Sequence, residues 1–333
     1  MSNNSPAVLG LHHVTAIAGD PQRNVDFYAG VLGMRLVKKT VNFDDPGTYH
    51  LYYGDETGRP GSLLTFFPWP GARRGRAGVG QVAVTQLAIP TAALGFWLER
   101  LARHGIAHEG PVARFDEKVV SFADPDGMLL ELVAHDRTAA LPGFDGPVPQ
   151  AMSIRGIHAA TLWVADHDAS ARVLVDVLGH HEVARHEGTV RYESGDGGPG
   201  TYVDLRAIPG FLPGMGGAGT VHHVAFRAGT DEAEFALRGV IEGAGLGITE
   251  QVDRQYFRSM YFREPGRVLY ELATDAPGFD VDEPRASLGE GLRLPPQYEA
   301  MRPELERTLV PLRVPRRDDG AFGIVGAPTE AGR

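Results

Sequence analysis

Four stretches of the chain repeat one pattern, and that repetition limits the possible folds more than any other feature. The stretches are LHHVTAIAGDPQRNVDFYAGVLGMRLV from Leu11, VTQLAIPTAALGFWLERLARHGIAH from Val84, IHAATLWVADHDASARVLVDVLGHHEV from Ile157 and VHHVAFRAGTDEAEFALRGVIEGAGLGI from Val221. Each opens with an alternating apolar run, the signature of a half-buried strand. An acidic or Thr/Pro-bearing turn follows and supplies a helix start, and the next residues carry apolar side chains at helical spacing before a Gly. Further strands follow each helix. In the second and fourth copies they end in matching hairpins, SFADPDGMLLEL and YFREPGRVLYEL, with Pro and Gly at the turn and an acidic residue on the returning strand. The unit is therefore βαβββ and the fold class α+β, with four modules. Equivalent positions recur regularly: 73 residues separate His13 from Gln86 and Gln86 from Ala159, and 64 separate Ala159 from His223.

At 333 residues the chain suits two domains. The Pro- and Gly-rich stretch TAALPGFDGPVPQAM, 138–152, reads as a linker between an N-terminal pair of modules (1–137) and a C-terminal pair (153–280). Beyond residue 280 the repeat ends. There LPPQYEAMRPELERTL reads as a helix, and the segment from Arg316 onward has the composition of a mobile tail.

A net charge of −10 with scattered Lys and Arg argues against a nucleic-acid surface, and the absence of a long apolar run argues against a membrane span. The N-terminus carries no secretory pattern, so a cytoplasmic location is expected. With no Cys in the chain, a metal can be held only by N and O ligands. The glycine-rich LPGMGGAGT before His222 lacks the ending of a phosphate loop and leads into a strand.

The repeats allow candidate ligand positions to be compared. The first-strand position reads His13, Gln86, Ala159, His223; the last-strand position reads Thr65, Glu131, Asp204, Glu271. A lone strand histidine is ordinarily a satisfied core residue. Pairing modules one and four in one cup, however, joins His13, His223 and Glu271, two imidazoles and a carboxylate, the facial triad of non-heme Fe(II) sites. Pairing one with two, or three with four, gives a single imidazole each time. Glu131, partnered by Gln86, Ala159 and Asp204, reads as structural. Strand alternation would send His12 and His222 to the opposite face from their neighbours.

The repeated βαβββ unit with a strand-one His and a strand-four Glu resembles the vicinal oxygen chelate superfamily, which includes glyoxalase I, extradiol catechol dioxygenases and bleomycin-resistance proteins. The resemblance covers about residues 10–276. Within it, LHHVTAIAGDPQRNVDFYAGVLGMRLVKKTVNFDDPGTYHLYYGD and TFFPWP are similar to the branch that opens hydroquinone rings, which contains 2,6-dichlorohydroquinone 1,2-dioxygenase. The resemblance implies two domains of paired modules and metal ligation by His13, His223 and Glu271. It further implies substrate-binding roles for His12 and Thr15 and catalytic roles for His222, Arg254 and Tyr261. Fe(II) is the implied cofactor, with Mn(II) as a substitute, and a small aromatic compound and O₂ are the implied partners. Whether the chain forms a homo-oligomer is left open. Three rival readings stand beside this one: a catechol-cleaving enzyme, a glyoxalase-type isomerase and a metal-free binding protein. The first places its ligands in modules three and four, where Ala159 breaks the pattern unless His158 takes its place. The second wants a fourth ligand where Thr65 stands.

Overall fold

A computed structural model describes residues 6–315, so the segment from Arg316 onward lies outside the described residues. Among the described residues sixteen strands fall into four modules. The first holds β1 (Leu11–Ala18), β2 (Arg35–Val41), β3 (Tyr49–Gly54) and β4 (Leu63–Pro68); the second holds β5 (Gln81–Ile89), β6 (His108–Arg114), β7 (Glu117–Ala123) and β8 (Leu129–Ala134). The third holds β9 (Ile157–Val164), β10 (His181–His186), β11 (Thr189–Glu193) and β12 (Tyr202–Ala207); the fourth holds β13 (Thr220–Gly229), β14 (Val252–Asp253), β15 (Arg258–Arg263) and β16 (Leu269–Thr274). After each first strand comes a helix: α1 (Pro21–Val25), α2 (Leu94–Arg103), α3 (His167–Arg172) and α4 (Asp231–Gly243). The first and third continue into wider π-type turns. The C-terminal helical stretch is split between a 3₁₀ segment, Pro296–Met301, and α5 (Arg302–Thr308).

Three of the four module helices start on the expected cap. Asp20, Asp166 and Thr230 each accept a backbone N–H of the first turn. The second does not, because its cap positions fall on Pro90 and Ala93, which have no side-chain acceptor; the Thr91 hydroxyl bonds Asp136 at 2.5 Å.

The strands form two eight-stranded sheets, ordered β14-β15-β16-β13-β1-β4-β3-β2 and β10-β11-β12-β9-β5-β8-β7-β6. Module one is thus joined to module four and module two to module three, each pair through antiparallel first strands, β1 with β13 and β5 with β9. On one face of the first sheet Val14, Val224, Phe226, Tyr270 and Leu272 are fully buried in the main core with Leu237 and Ile241 of α4. Alternation sends the intervening side chains, His223, Ala225, Glu271 and Ala273, to the other face. There a second core cluster joins Tyr52, Ala225, Tyr256, Phe257 and Ala273 to Phe279 and Leu288 from the segment after the fourth module. That segment is fastened by a buried Lys38, whose Nζ lies 2.7 Å from Asp282 and 2.9 Å from Glu283.

The two matched hairpins have the same turn chemistry in different residues. Asp124 accepts the backbone N–H groups of Asp126 and Met128, and Glu264 those of Gly266 and Val268. The left-handed position is Gly127 (φ 91°) in the first and Arg267 (φ 79°) in the second.

Candidate metal centre

Strand register brings the three candidate ligands together. On β1 and β13, Thr15 lies opposite His223 and His13 opposite Ala225; on β13 and β16, Ala225 lies beside Glu271. His13 Nε2 is 3.2 Å from His223 Nε2, and one Glu271 oxygen is 3.4 Å from the first and 2.8 Å from the second. All three residues are buried, and their ligand atoms lie within 4.8 Å of one another. Burial alone would raise the Glu271 carboxyl, but His13 and His223 outweigh it and hold the group well below the usual carboxylate range. Burial outweighs the pull of Glu271 on His223 and lowers that imidazole, which favours its neutral form. A buried carboxylate whose oxygens meet no donor among the described residues other than these two imidazoles, with the imidazole nitrogens aimed at the same point, is a donor set suited to a divalent transition-metal ion.

The neighbouring histidines do not obey strand alternation, for a structural reason. The β1–β13 register slips between Leu11 and His13 on one strand and between Thr15 and Ala16, opposite His223 and Val221, on the other. His12 and His222 are the extra residues of two β-bulges, and a bulge re-aims its side chain. His12 Nδ1 therefore lies 2.9 Å from His13 Nδ1, and His222 Nδ1 lies 2.8 Å from His223 Nδ1. Each of the two candidate histidine ligands has its second ring nitrogen engaged, the arrangement that orients a metal-binding imidazole. Burial, with the adjacent histidine as the next cause, lowers His12 to about 3 and His222 to about 4.

A cavity of about 270 Å³ opens on the triad and is bordered by Thr15, His222, Arg254 and Tyr261. His12 does not border it; it faces an adjacent cavity with Arg59 and Asp275, behind the Phe257 ring that contacts both His12 and His13 at 5.1 Å. Tyr261 lies directly opposite Glu271 on β15. Its hydroxyl accepts from Arg254 Nε at 3.1 Å and from Ser259 Oγ at 3.0 Å. Burial, and then the Glu271 charge, push the phenol up, so it keeps its proton at neutral pH.

Several residues at the cavity were missed in the sequence. Phe43, Phe67, Trp69 and Phe257 give it aromatic walls, and His50 and Tyr52 border it from β3. One signal was available: the residues opposite the last-strand position of the four modules are Tyr52, Ser121, Arg191 and Tyr261. Tyr52 is thus the module-one counterpart of Tyr261. Thr65 is no ligand here; it bonds Thr15 at 2.8 Å and His50 at 3.0 Å.

The corresponding centre of the second sheet is filled by an arginine. Arg191 meets both Asp204 oxygens at 2.8 and 2.9 Å and Glu117 at 2.7 Å, with Phe115 and Tyr202 on its faces. Gln86 donates to Asp204 and Thr161. Glu131 pairs with Arg114 and accepts from Ser121. His158 bonds Glu117 and lies in this second cup, apart from Glu271, so the ligand set of modules three and four is not assembled.

Residues 10–132 and 156–272 match the model of the Glyoxalase/Bleomycin resistance protein/Dioxygenase superfamily. The chain belongs to this superfamily. It is 46% identical over 310 residues to the protein named "Putative ring-cleaving dioxygenase MhqO" of Bacillus subtilis (strain 168), covering 93% of this chain and 98% of that one. It is 35% identical to "Chlorohydroquinone/hydroquinone 1,2-dioxygenase" of Sphingobium indicum, over 91% and 96% of the two chains. A solved structure of a "putative dioxygenase" from Bacillus subtilis subsp. subtilis str. 168 superposes with a TM-score of 0.89 at 46% identity, covering 93% of this chain and 99% of that one. Glyoxalase I from Zea mays, at 17% identity and a TM-score of 0.59 over 80% and 92% of the chains, shares the superfamily's fold. Among the described residues no helix is long and apolar enough to cross a membrane.

Proposed function

We propose that the chain is an Fe(II)-dependent dioxygenase that opens a hydroquinone ring, with both atoms of O₂ retained in the ring-opened acid. The observation that carries this reading is the buried convergence of His13, His223 and Glu271 under an aromatic-walled cavity. The names of the relatives support it. Fe(II), when bound, supplies the redox-active centre at which O₂ and a closed-shell phenol can react, and three protein ligands leave it open positions for both. Mn(II) is the substitute the same donor set admits.

The remaining chemistry falls to side chains. Phe43, Phe67, Trp69 and Phe257 hold the ring and exclude water. Thr15 and His12 serve the substrate side, the former at the cavity and the latter through the His13 ring it orients. The Arg254 guanidinium, already bonded to Tyr261, offsets negative charge developing on substrate oxygen. Tyr261 keeps a proton to give, and His222, neutral at physiological pH, is placed to take one. Because both oxygen atoms stay in the product, no external reductant is needed.

The test is anaerobic reconstitution with Fe(II), then O₂ uptake with a panel of hydroquinones and catechols. About one Fe(II) per chain and uptake with hydroquinones are expected. Glu271→Gln should lose iron and uptake together, since it removes the only anionic ligand, whereas Glu131→Gln should retain both. Uptake with catechols alone, or iron lost from Glu131→Gln and kept by Glu271→Gln, would overturn the reading.

A further inference from the structure

Beside the triad, Tyr52, His50, Thr65 and Thr15 form an unbranched chain of hydrogen bonds. Tyr52 Oη is 2.8 Å from His50 Nδ1, His50 Nε2 is 3.0 Å from Thr65 Oγ1, and Thr65 Oγ1 is 2.8 Å from Thr15 Oγ1. All four residues are buried. A hydroxyl carries one hydrogen and a neutral imidazole one N–H, so the chain must run in a single direction.

The direction follows from donor strength. Tyr52 and Thr15, the two ends, both border the cavity; Tyr52 Oη has no second partner among the described residues, and its ring sits against Tyr256 and Phe279. The phenol is the most acidic hydroxyl of the four-residue relay and the imidazole lone pair its best acceptor, so Tyr52 donates to Nδ1. The opposite direction would set the less acidic Thr65 hydroxyl against the imidazole lone pair. Burial holds His50 well below the ordinary imidazole range, so its one hydrogen resides on Nε2. Nε2–H then donates to Thr65, and Thr65 donates to Thr15. The Thr15 hydrogen is left without a protein acceptor among the described residues, and Thr15 borders the cavity.

We propose that Tyr52, His50 and Thr65 are positioning residues that commit Thr15 to donate a hydrogen bond into the cavity, toward an aromatic ligand's oxygen that has lost its proton. This rests on the reading of the cavity as a phenol site. Each link polarises the next, so the terminal hydroxyl is a stronger donor than a free threonine. It also explains the departure of module one from the others: where they carry a carboxylate, Thr65 passes a hydrogen bond onward.

The direction can be read without catalysis. Nitrogen-15 spectra of the histidine-labelled full-length chain, metal-free and again with Zn(II) added, should show His50 protonated at Nε2 and bare at Nδ1, the signal being assigned by its loss in His50→Gln. Protonation at Nδ1 would overturn the proposal, since Thr15 would then donate to Thr65 and Tyr52 would be the cavity donor. The consequence can be read by anaerobic binding of unsubstituted hydroquinone. Thr15→Val should weaken it about tenfold, Tyr52→Phe severalfold, and the double variant no more than Thr15→Val. If Tyr52→Phe weakened binding equally in both backgrounds, Tyr52 would not act through Thr15. A chain with the predicted tautomer and coupling that consumed no O₂ would refute only the dioxygenase reading.

Discussion

At the scale of single residues, the site is arranged so that protonation states are set by position. Tyr261 is expected to hold a proton and His222 to lack one at neutral pH, and neither is a candidate ligand. Tyr261→Phe and His222→Ala should therefore keep close to wild-type iron while turnover falls by roughly 10²–10⁴-fold, the range for a lost acid–base group. Iron analysis beside single-turnover kinetics checks this; iron lost from both would make them ligands. The convergence of His13, His223 and Glu271 was legible in the sequence because the repeat supplied four versions of each position and only one pairing joined two imidazoles with a carboxylate. Tyr261 was placed near Glu271 by the hairpin length, and the structure sets them opposite. His12 and His222 were misleading because alternation holds only while the register does, and both sit at bulges. His50 and Tyr52 escaped notice because hydrogen-bond chains form between strands whose order cannot be read from one strand's pattern.

At the scale of elements, the matched hairpin turns act as clamps between the sheets. The Asp124 carboxylate accepts from Tyr28 of module one at 3.0 Å, and Asp126 from Gly19 N at 2.8 Å; Glu264 accepts from Ser170 of module three at 2.7 Å. The sequence showed that the turns matched, but not that a residue 96 positions away would dock on one. Asp124 carries a testable pH dependence. Burial raises its carboxyl to about 6, against the hydrogen bonds that favour the charged form. A folded-state value above the unfolded one means that its contribution is complete below the unfolded value of 3.8 and is lost as pH rises through about 6. The loss is about 3 kcal/mol at most. Asp124→Asn cannot ionise, so its stability relative to wild type should improve between pH 4 and pH 7. Urea unfolding of both proteins across that range checks the sign, and a constant difference would show Asp124 already charged in the fold.

At the scale of the whole molecule, two sheets of the same plan have opposite solutions at their centres. The first gathers three candidate ligands for a cation, and the second contains its own cation in Arg191. Removing that guanidinium leaves Asp204 and Glu117 buried without it, so Arg191→Met should cost about 3–5 kcal/mol. It lies in the other sheet, so the iron content of the chains that remain folded should not change. Thermal unfolding with metal analysis separates the two effects, and loss of iron from the folded fraction would show that the centres are coupled. The crossed pairing also has a bearing on how the protein is made. Modules two and three are neighbours in the chain and can close their sheet as soon as both have been synthesised, whereas module one must wait for module four. A nascent chain already displays His13, but it lacks His223, 210 residues further on, and the only carboxylate of the set arrives later still, on the last strand of the last module. Broken or interrupted chains thus never assemble the three candidate ligands, and under the proposed function an ion able to activate oxygen would be captured only by a polypeptide long enough to enclose it.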